Sequence, residues 1–192
     1  MRVAGATDSP TNTTRVVRRD ESTTVLLIRH ARTGAIARHR PCGRLPGIPR
    51  SASGVSEAEE LGRTLAASCR LAAIYSSPVE HAYHTATSIA RHQEACVELC
   101  EALLDPGGEE LMAVQRRIVR TIERLATKHP GATIALVAHA EIVRVALLHY
   151  GSATLDRNHE LEIAPASVSA VNVSPGGVYV QFVNRRAAAL RS

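Results

Sequence analysis

Histidines follow two apolar stretches that have the composition of buried strands. The run VLLI (residues 25–28) leads into Arg29 and His30, and the run TIALVA (residues 133–138) leads into His139. A strand has no structural need to end on a histidine, so both residues are candidates for chemistry. A neutral imidazole can act as a nucleophile toward phosphorus, as a metal ligand or as a proton shuttle.

Arg29 favours the phosphorus chemistry among these three. Its positive charge is expected to lower the pKa of the His30 imidazole and keep the ring unprotonated at neutral pH. Its planar guanidinium also matches the oxygens of a phosphate group. A helix predicted directly after His139 would point its positive end at the same anion. Metal binding explains the histidines less well, because it gives Arg29 no role and the sequence has no H-E-x-x-H or H-x-x-E-H spacing.

The elements that must position these residues alternate between strands and helices. Apolar runs predict buried strands that end near Arg29, near Ser77 and near His139, with helical apolar spacing between them. Such alternation is typical of the α/β class, here a three-layer αβα sandwich with a mostly parallel sheet. Ligands of these sheets bind beyond the carboxyl ends of the strands, so the three strand ends should meet at one edge.

Local signals predict the remaining elements. Ser77, Pro78 and Glu80 have the spacing of a capping box with proline at the first helical position. ACVELC (residues 95–100) predicts a short strand, and SVSAVNV and VYVQFV flank SPGG as a C-terminal β-hairpin would. Residues 33–53 contain three prolines and three glycines, which predict a long irregular loop of a functional or disordered kind.

Four segments resemble the histidine phosphatase superfamily, also called the phosphoglycerate mutase-like family. LLIRHARTG (26–34) is similar to its R-H-G-E-T signature, GVSEAEELG (54–62) to its G-x-x-Q/E-A segment, IYSSPVEHAYHTATSIA (74–90) to its S-S-P-L-x-R-A-x-x-T-A segment, and ALVAHAEIVR (135–144) to its V-S-H-G-G-x-I-R segment. The likeness extends over about residues 23–173. Four segments in the right order and spacing carry far more weight than a lone R-H pair.

The resemblance implies a role for each matching residue. His30 would attack the phosphorus and become a transient phosphohistidine, while Arg29 would hold the phosphate oxygens. His139 would donate hydrogen bonds to the same oxygens and stabilise the transition state, and Thr33 would line the pocket. Glu101, in the LCE stretch, would protonate the leaving oxygen and then activate water, which requires a pKa raised by partial burial. No metal and no organic cofactor is implied.

Several positions depart from the family pattern. Ala31 replaces a glycine and would narrow the pocket, and Arg32 replaces the usual acid and reverses a charge beside the nucleophile. His81 stands where a second phosphate-binding arginine is expected, and it could supply that charge only when protonated at lower pH. Ala140, expected to line the substrate pocket, and Glu141 stand in place of two glycines, which puts an acid near the anion site.

The acid-bearing segment is short. EALLDPGGEEL (101–111) joins Glu101 directly to the family's P-x-G-E segment, without the lid of the larger members. The chain in this respect resembles the small phosphatases, including bacterial protein-phosphohistidine phosphatases. An open site would suit a bulky substrate, and Arg44 in the long loop is a candidate to bind its distal anionic groups.

Three functions follow from this resemblance. The first is a metal-independent phosphomonoester hydrolase, acting through phosphohistidine on His30 upon a phosphorylated small molecule or a phosphoprotein. The second is a weak or inactive pseudophosphatase that binds phosphorylated ligands, which the residues Ala31, Arg32 and His81 motivate. The third and weaker one is a phosphoglycerate mutase-type phosphotransferase, because transfer within one substrate needs a closed site.

Composition predicts one domain, residues 23–184, between a disordered tail (1–22) and a basic tail (185–192). The basic tail supplies three arginines of the net charge of +5, and aromatic residues make up only 3%, so we expect no nucleic-acid partner.

No apolar run approaches the roughly 20 residues of a membrane span, and no signal-peptide core begins the sequence. The four cysteines form no C-x-x-C pair, which favours reduced thiols in a cytoplasmic protein without a membrane partner. The sequence leaves the oligomeric state open.

Overall fold

Six strands form one sheet in the computed structural model, which describes residues 22–33 and 51–190. In chain order they are β1 (Thr23–Arg29), β2 (Ala73–Ser76), β3 (Val97–Leu99), β4 (Thr133–Ala138), β5 (Val168–Ser174) and β6 (Gly177–Arg185). Their order across the sheet is β3-β2-β4-β1-β5-β6. The two strands that lead into histidines, β1 and β4, are therefore neighbours in the middle of the sheet.

Strand direction brings the chemically interesting strand ends to one edge. Strand β4 is parallel to both β1 and β2, and β2 is parallel to β3. The register sets Arg29 opposite Ala138 and Ser76 opposite Val137, so these strands end at the same level. Strands β5 and β6 form the expected antiparallel hairpin beside β1.

Among the described residues, four helices cover the two faces of the sheet. They are α1 (Ala52–Ser68), α2 (Glu80–Ala90), α3 (Leu111–Lys128) and α4 (Ala140–Tyr150). Side chains of β1 alternate between the faces: Val25 and Leu27 pack in the core beneath α3 and α4, while Leu26 and Ile28 pack beneath α1 and α2. The predicted three-layer αβα sandwich is confirmed.

Helix starts differ in detail from the prediction. Helix α2 begins at Glu80 after the N-cap residue Val79, with no side-chain cap, so the predicted capping box at Ser77 is wrong. The Ser77 hydroxyl instead lies 3.0 Å from a ring nitrogen of His139 and accepts only a long bond from the Val79 N–H at 3.4 Å. A tertiary partner thus engages the hydroxyl that the local pattern assigns to capping.

The structure describes only Ser22 of the predicted N-terminal tail, and residues 185–190 of the predicted C-terminal tail. The 1–22 tail lies outside the described residues except for Ser22, and so does most of the 33–53 loop, including Arg44. After Arg185 the chain forms a 3₁₀ turn, Ala187–Leu190, in which Ala187 is buried and Leu190 accepts a hydrogen bond from Ser68. Among the described residues, none of the helices combines the length and apolar content that crossing a bilayer requires.

Candidate active site

Three histidine rings cluster at the carboxyl edge of the parallel strands. His30 follows β1, His139 follows β4, and His81 lies in the first turn of α2. Ring centroids are 4.2 Å apart for His30 and His81, 5.4 Å for His30 and His139, and 5.2 Å for His81 and His139. All three side chains are buried, with at most 4% of their surface exposed. Sequence reasoning singled out each of them, and the fold brings them together.

Hydrogen bonds that extend the sheet beyond the ends of its strands fix the backbone of His30 and of Ser77. The His30 N–H donates to the Ala138 carbonyl at 2.9 Å, and the Ser77 N–H donates to the Val137 carbonyl at 2.9 Å. The backbone of His30 is therefore held as one more rung between β1 and β4. His139 follows at the start of α4, whose first turn presents free N–H groups and the positive end of the helix dipole at this edge.

Helix α2 positions His81 against His30 through a single threonine. The Thr85 hydroxyl donates to the His81 carbonyl at 2.9 Å, one turn along the helix, and accepts a hydrogen bond from the Ala31 N–H at 3.1 Å. Thr85 therefore ties the residue after the first histidine to the helix that carries His81. No pattern in the sequence singles out this threonine, since its bond to Ala31 depends on how α2 packs beside the end of β1.

The hydrogen bonds of His30 determine which of its ring nitrogens can react. Nδ1 lies 2.8 Å from the carbonyl oxygen of Ala31, and a carbonyl can only accept. Nδ1 of His30 must therefore carry the hydrogen and donate it. In the neutral ring this leaves the lone pair on Nε2, the nitrogen that is available to attack an electrophile.

Burial keeps two of the three rings neutral. Desolvation holds the pKa of His30 well below its ordinary value, and the charges that His81, His139 and Arg29 would present lower that pKa further, against the Ala31 hydrogen bond. Desolvation lowers the pKa of His81 to about 4, partly opposed by Glu80. At neutral pH His81 therefore cannot supply the positive charge of the arginine that it replaces.

A chain of polar contacts links the histidines to a serine. Nε2 of His139 lies 3.0 Å from the Ser77 hydroxyl, and Nδ1 of the same ring lies 3.4 Å from Nε2 of His81. Neither nitrogen has a fixed hydrogen, because each partner could donate or accept. The sequence placed Ser77 at this edge, and the structure makes it a direct partner of His139.

Arg29 and Thr33 flank the histidine cluster. Arg29 is half-buried, and its Nη1 donates to the Ile163 carbonyl, which holds the guanidinium beside the end of β1. Thr33, also expected in the pocket, is completely buried. Thr33 therefore lies in the interior and Arg29 at its edge, both on the segment that carries His30.

The predicted acid and the acid that contacts the cluster are different residues. Glu101 follows β3, whose hydrogen-bonded pairing continues as the Cys100 N–H donates to the Ser76 carbonyl at 2.8 Å. Its side chain is exposed, in the 3₁₀ turn Glu101–Leu103, so the partial burial expected of the acid is absent from this residue. Asp105, which sequence reasoning did not select, has Oδ2 3.7 Å from Nδ1 of His139. Only the path of the chain after that turn brings Asp105 to the histidines.

Comparison with known protein families is consistent with this arrangement. The pattern described as the histidine phosphatase superfamily (branch 1) matches residues 25–105 and 101–186. The chain belongs to the histidine phosphatase superfamily.

Individual relatives of this superfamily show how far the similarity extends. The bifunctional protein Rv2228c of Mycobacterium tuberculosis is 28% identical over an alignment of 217 residues, which covers 94% of this chain and 58% of the relative. The chain thus spans little more than half the length of the curated relatives it matches.

Two solved structures show the same fold at lower identity. Phosphoglycerate mutase from Bacillus anthracis has a TM-score of 0.75 at 18% identity, covering 90% of this chain and 97% of that one. Phosphoserine phosphatase from Entamoeba histolytica, solved with 3-phosphoglyceric acid, has a TM-score of 0.70 at 18% identity, covering 85% and 97%. Both a mutase and a phosphatase therefore share this architecture.

Two departures from the superfamily pattern are compensated locally. Arg32 turns to α1, where its Nε lies 2.9 Å from Oε1 of Glu57 and its backbone N–H donates to Oε2 of Glu57 at 3.1 Å. The reversed charge is therefore paired rather than left beside His30. Ala31 is 5% exposed and packs in the core beneath α1 and α2, so its methyl group has a place in that core.

The acid at the start of α4 is also neutralised. Glu141 accepts a hydrogen bond from Nη1 of Arg144 at 2.7 Å and another from the side-chain amide of Asn158. These contacts engage both carboxylate oxygens away from the histidines. The first residue of the helix, Ala140, is half-buried directly after His139, so the anion-binding end of α4 keeps its favourable dipole.

Proposed function

We propose that this chain is a metal-independent phosphomonoester hydrolase that forms a phosphohistidine on Nε2 of His30. The observation that carries the proposal is the hydrogen bond from Nδ1 of His30 to the Ala31 carbonyl. It directs the lone pair to Nε2, and the lowered pKa of the buried ring keeps that lone pair free at neutral pH.

The reaction proceeds in two displacements. In the first, Nε2 of His30 forms a bond to phosphorus while the bond to the leaving oxygen breaks, and Glu101 gives that oxygen a proton. In the second, the Glu101 carboxylate takes a proton from water, the water oxygen attacks phosphorus, and the phosphorus–nitrogen bond breaks. Arg29, His139 and the N-terminus of α4 stabilise the negative charge on the phosphoryl oxygens in both steps.

The substrate is a phosphorylated small molecule or a phosphoprotein. Its phosphoryl group sits against Thr33, His81 and Ala140, and Arg44 contacts its distal anionic groups. Binding of 3-phosphoglyceric acid by the structurally similar phosphoserine phosphatase supports this class of ligand.

The free thiols of Cys69, Cys96 and Cys100 support a reducing, cytoplasmic location.

Replacement of the nucleophile tests the proposal. In buffer that contains EDTA, wild-type protein should hydrolyse 4-nitrophenyl phosphate and His30→Ala should reduce the rate to the uncatalysed background, because no other ring nitrogen replaces Nε2. His84→Ala, at a half-buried position of α2 away from the three-histidine cluster, is the matched control and should retain activity. Equal hydrolysis by wild type and His30→Ala would disprove the phosphohistidine route.

A phosphate-binding pseudophosphatase is the alternative that the neutral state of His81 favours, because a pocket with one positive charge fewer stabilises the transition state less well. Such a protein would bind orthovanadate without turning over any aryl phosphate. A mutase, the third function, would convert one phosphoglycerate isomer into the other without releasing inorganic phosphate. Measurement of free phosphate and of isomer ratio from 3-phosphoglyceric acid separates the three.

A further inference from the structure

We propose that His30, His81 and His139 form a binding site for a divalent transition-metal cation of the zinc class, and that a bound cation blocks His30 as a nucleophile. Each histidine offers one ring nitrogen within 4.8 Å of the other two, and all three side chains are buried. Three imidazoles with a fourth position left open are a ligand set that zinc accepts.

The spacing of two of the nitrogens already matches a shared cation. Zinc lies about 2.0–2.1 Å from histidine nitrogens, so two nitrogens in a tetrahedral site are separated by about 3.3 Å. Nε2 of His81 and Nδ1 of His139 are 3.4 Å apart. Small rotations of side chains would then bring Nε2 of His30 to the same ion, since its ring centroid is 4.2 Å from that of His81.

Hydrogen bonds on the far side of two rings hold them in the form that a metal requires. The Ala31 carbonyl accepts the Nδ1 hydrogen of His30, which leaves Nε2 as the ligand atom. The Ser77 hydroxyl lies 3.0 Å from Nε2 of His139 and can accept its hydrogen, which leaves Nδ1 facing His81. Metal-binding histidines typically donate their second N–H to such an oxygen, which fixes the tautomer and the ring orientation.

Arg29 and Asp105 have opposite effects on the binding of a cation at the histidine cluster. Arg29 opposes a cation, but its Nη1 is directed to the Ile163 carbonyl. Asp105 favours a cation, because its Oδ2 is 3.7 Å from the nitrogen of His139 that would bind the ion. Binding needs no loss of a proton if each neutral ring keeps one N–H, so the imidazoles change only their tautomers.

Blocking of the nucleophile rests on the proposed function, whereas the metal site does not. The lone pair on Nε2 of His30 can bond either to the cation or to phosphorus. A cation at this site would also occupy the space in which the phosphoryl group has to meet His139. Zinc should therefore inhibit hydrolysis, and EDTA should restore it.

Equilibrium dialysis against zinc, with the full chain, tests binding without any use of activity. We expect about one zinc per wild-type chain, and an affinity lower by at least about tenfold for His81→Gln and for His139→Gln. His84→Gln, three residues along the same helix, and Cys96→Ser, at an exposed thiol, should bind zinc as wild type does.

With cobalt, wild type should show the intense visible bands of tetrahedral coordination, and His81→Gln should lack them. Circular dichroism establishes that each variant is folded.

Several outcomes would overturn the site. These are no zinc bound to folded wild type, unchanged affinity in both His81→Gln and His139→Gln, or loss of binding in Cys96→Ser instead. Zinc that leaves hydrolysis unchanged or accelerates it would overturn the blocking role. If no His30-dependent hydrolysis exists, the proposed function fails, and dialysis and the cobalt spectrum still decide the metal site.

Discussion

At residue 81 a neutral imidazole takes the place of a permanent positive charge. His81 is 3% exposed and its pKa is lowered to about 4, so at neutral pH it is uncharged and could attract an anion only through a hydrogen bond. Arginine would add a charge and a planar pair of donors that match phosphate oxygens. Restoring the arginine therefore tests directly what His81 does in the pocket.

We predict that His81→Arg strengthens inhibition by orthovanadate about tenfold, which corresponds to about 1.4 kcal/mol of binding free energy. The new guanidinium would lie next to His30, where the vanadium centre should bind. The inhibition constant measured in EDTA, with His84→Arg as the control for added charge on α2, provides the test. An unchanged constant in folded protein would mean that residue 81 does not face the anion.

Two carboxylates are candidates for the acid of the proposed reaction. Glu101 is exposed, while Asp105 lies against His139. A residue that protonates the leaving oxygen matters most when that oxygen is basic, and little when it leaves readily as a nitrophenolate. The leaving-group dependence of the rate therefore identifies the donor.

We predict that Glu101→Gln lowers kcat by about 10²–10⁴ for an alkyl phosphate and far less for 4-nitrophenyl phosphate. Asp105→Asn should lower both rates by a similar and smaller factor, because its carboxylate acts on His139 rather than on the leaving oxygen. Steady-state rates for both substrates provide the test. The opposite pattern would assign the proton donor to Asp105.

Among elements, α1 packs backbone against backbone on the segment that follows His30. A Cβ atom at Gly54 would lie 1.9 Å from the carbonyl oxygen of Arg32, so only glycine allows the backbones to meet there. Ser51 caps the same helix by accepting the Gly54 N–H at 3.0 Å. From this start, α1 also delivers Glu57 to Arg32. The first turn of α1 thus fixes the segment beside the nucleophile.

We predict that Gly54→Ala destabilises the protein by about 1–3 kcal/mol, because the added methyl group must push backbone away from backbone. Activity per folded molecule should also fall, since Arg32 and His30 share that segment. Ser56→Ala, an exposed substitution in the same turn region, is the control and should change stability by less than about 0.5 kcal/mol. Urea unfolding measures both, and equal stability of the two variants would contradict the close approach.

At the scale of the whole molecule, burial of neutral histidines links folding to pH. Unfolded His30 and His81 take up protons below a pH of about 6.5, whereas the folded protein keeps His81 neutral until about pH 4. The unfolded state therefore binds more protons in this window. The free energy of unfolding must fall as the pH falls through it.

We predict that the titration of His81 lowers stability by roughly 2–3 kcal/mol between pH 7 and pH 4, and that His30 acts in the same direction. Urea unfolding in EDTA at several pH values should show this drop in wild type and a smaller one in His81→Gln. The variant His149→Gln, at an exposed site on α4, should follow wild type. A slope that His81→Gln leaves unchanged would show that His81 titrates alike in the folded and unfolded protein.

The local pattern of apolar and polar residues was sufficient to predict most of the architecture. Apolar runs of strand length and amphipathic helical spacing depend on near neighbours in the chain, so the order of strands and helices and the C-terminal hairpin were predictable. Parallel pairing then requires the strand ends to share an edge, which is why His30, Ser77 and His139 could be grouped from the sequence. The capping box at Ser77 failed because a distant histidine engages that hydroxyl.

Contacts between residues of separate elements could not be predicted from the sequence. Nothing local links Arg32 to Glu57, Ala31 to Thr85, or Asp105 to His139, because each contact depends on how a helix or turn packs on the sheet. The prediction of no metal rested on Arg29, which has no role in metal binding, and on the lack of linear metal motifs, whereas the three clustered histidines come from segments separated by some fifty residues each. A ligand set of that kind has no signature along the chain.

The fold class, the superfamily resemblance and the edge of the sheet at which chemistry should occur could be predicted from sequence, since strand periodicity and motif spacing are properties of the chain. The protonation state of His81 and the tautomer of His30 became known only from the packed structure. Both depend on burial and on one carbonyl oxygen at 2.8 Å. Desolvation and hydrogen-bond geometry arise only when the chain is packed, because they are set by everything that surrounds a group rather than by its neighbours in sequence.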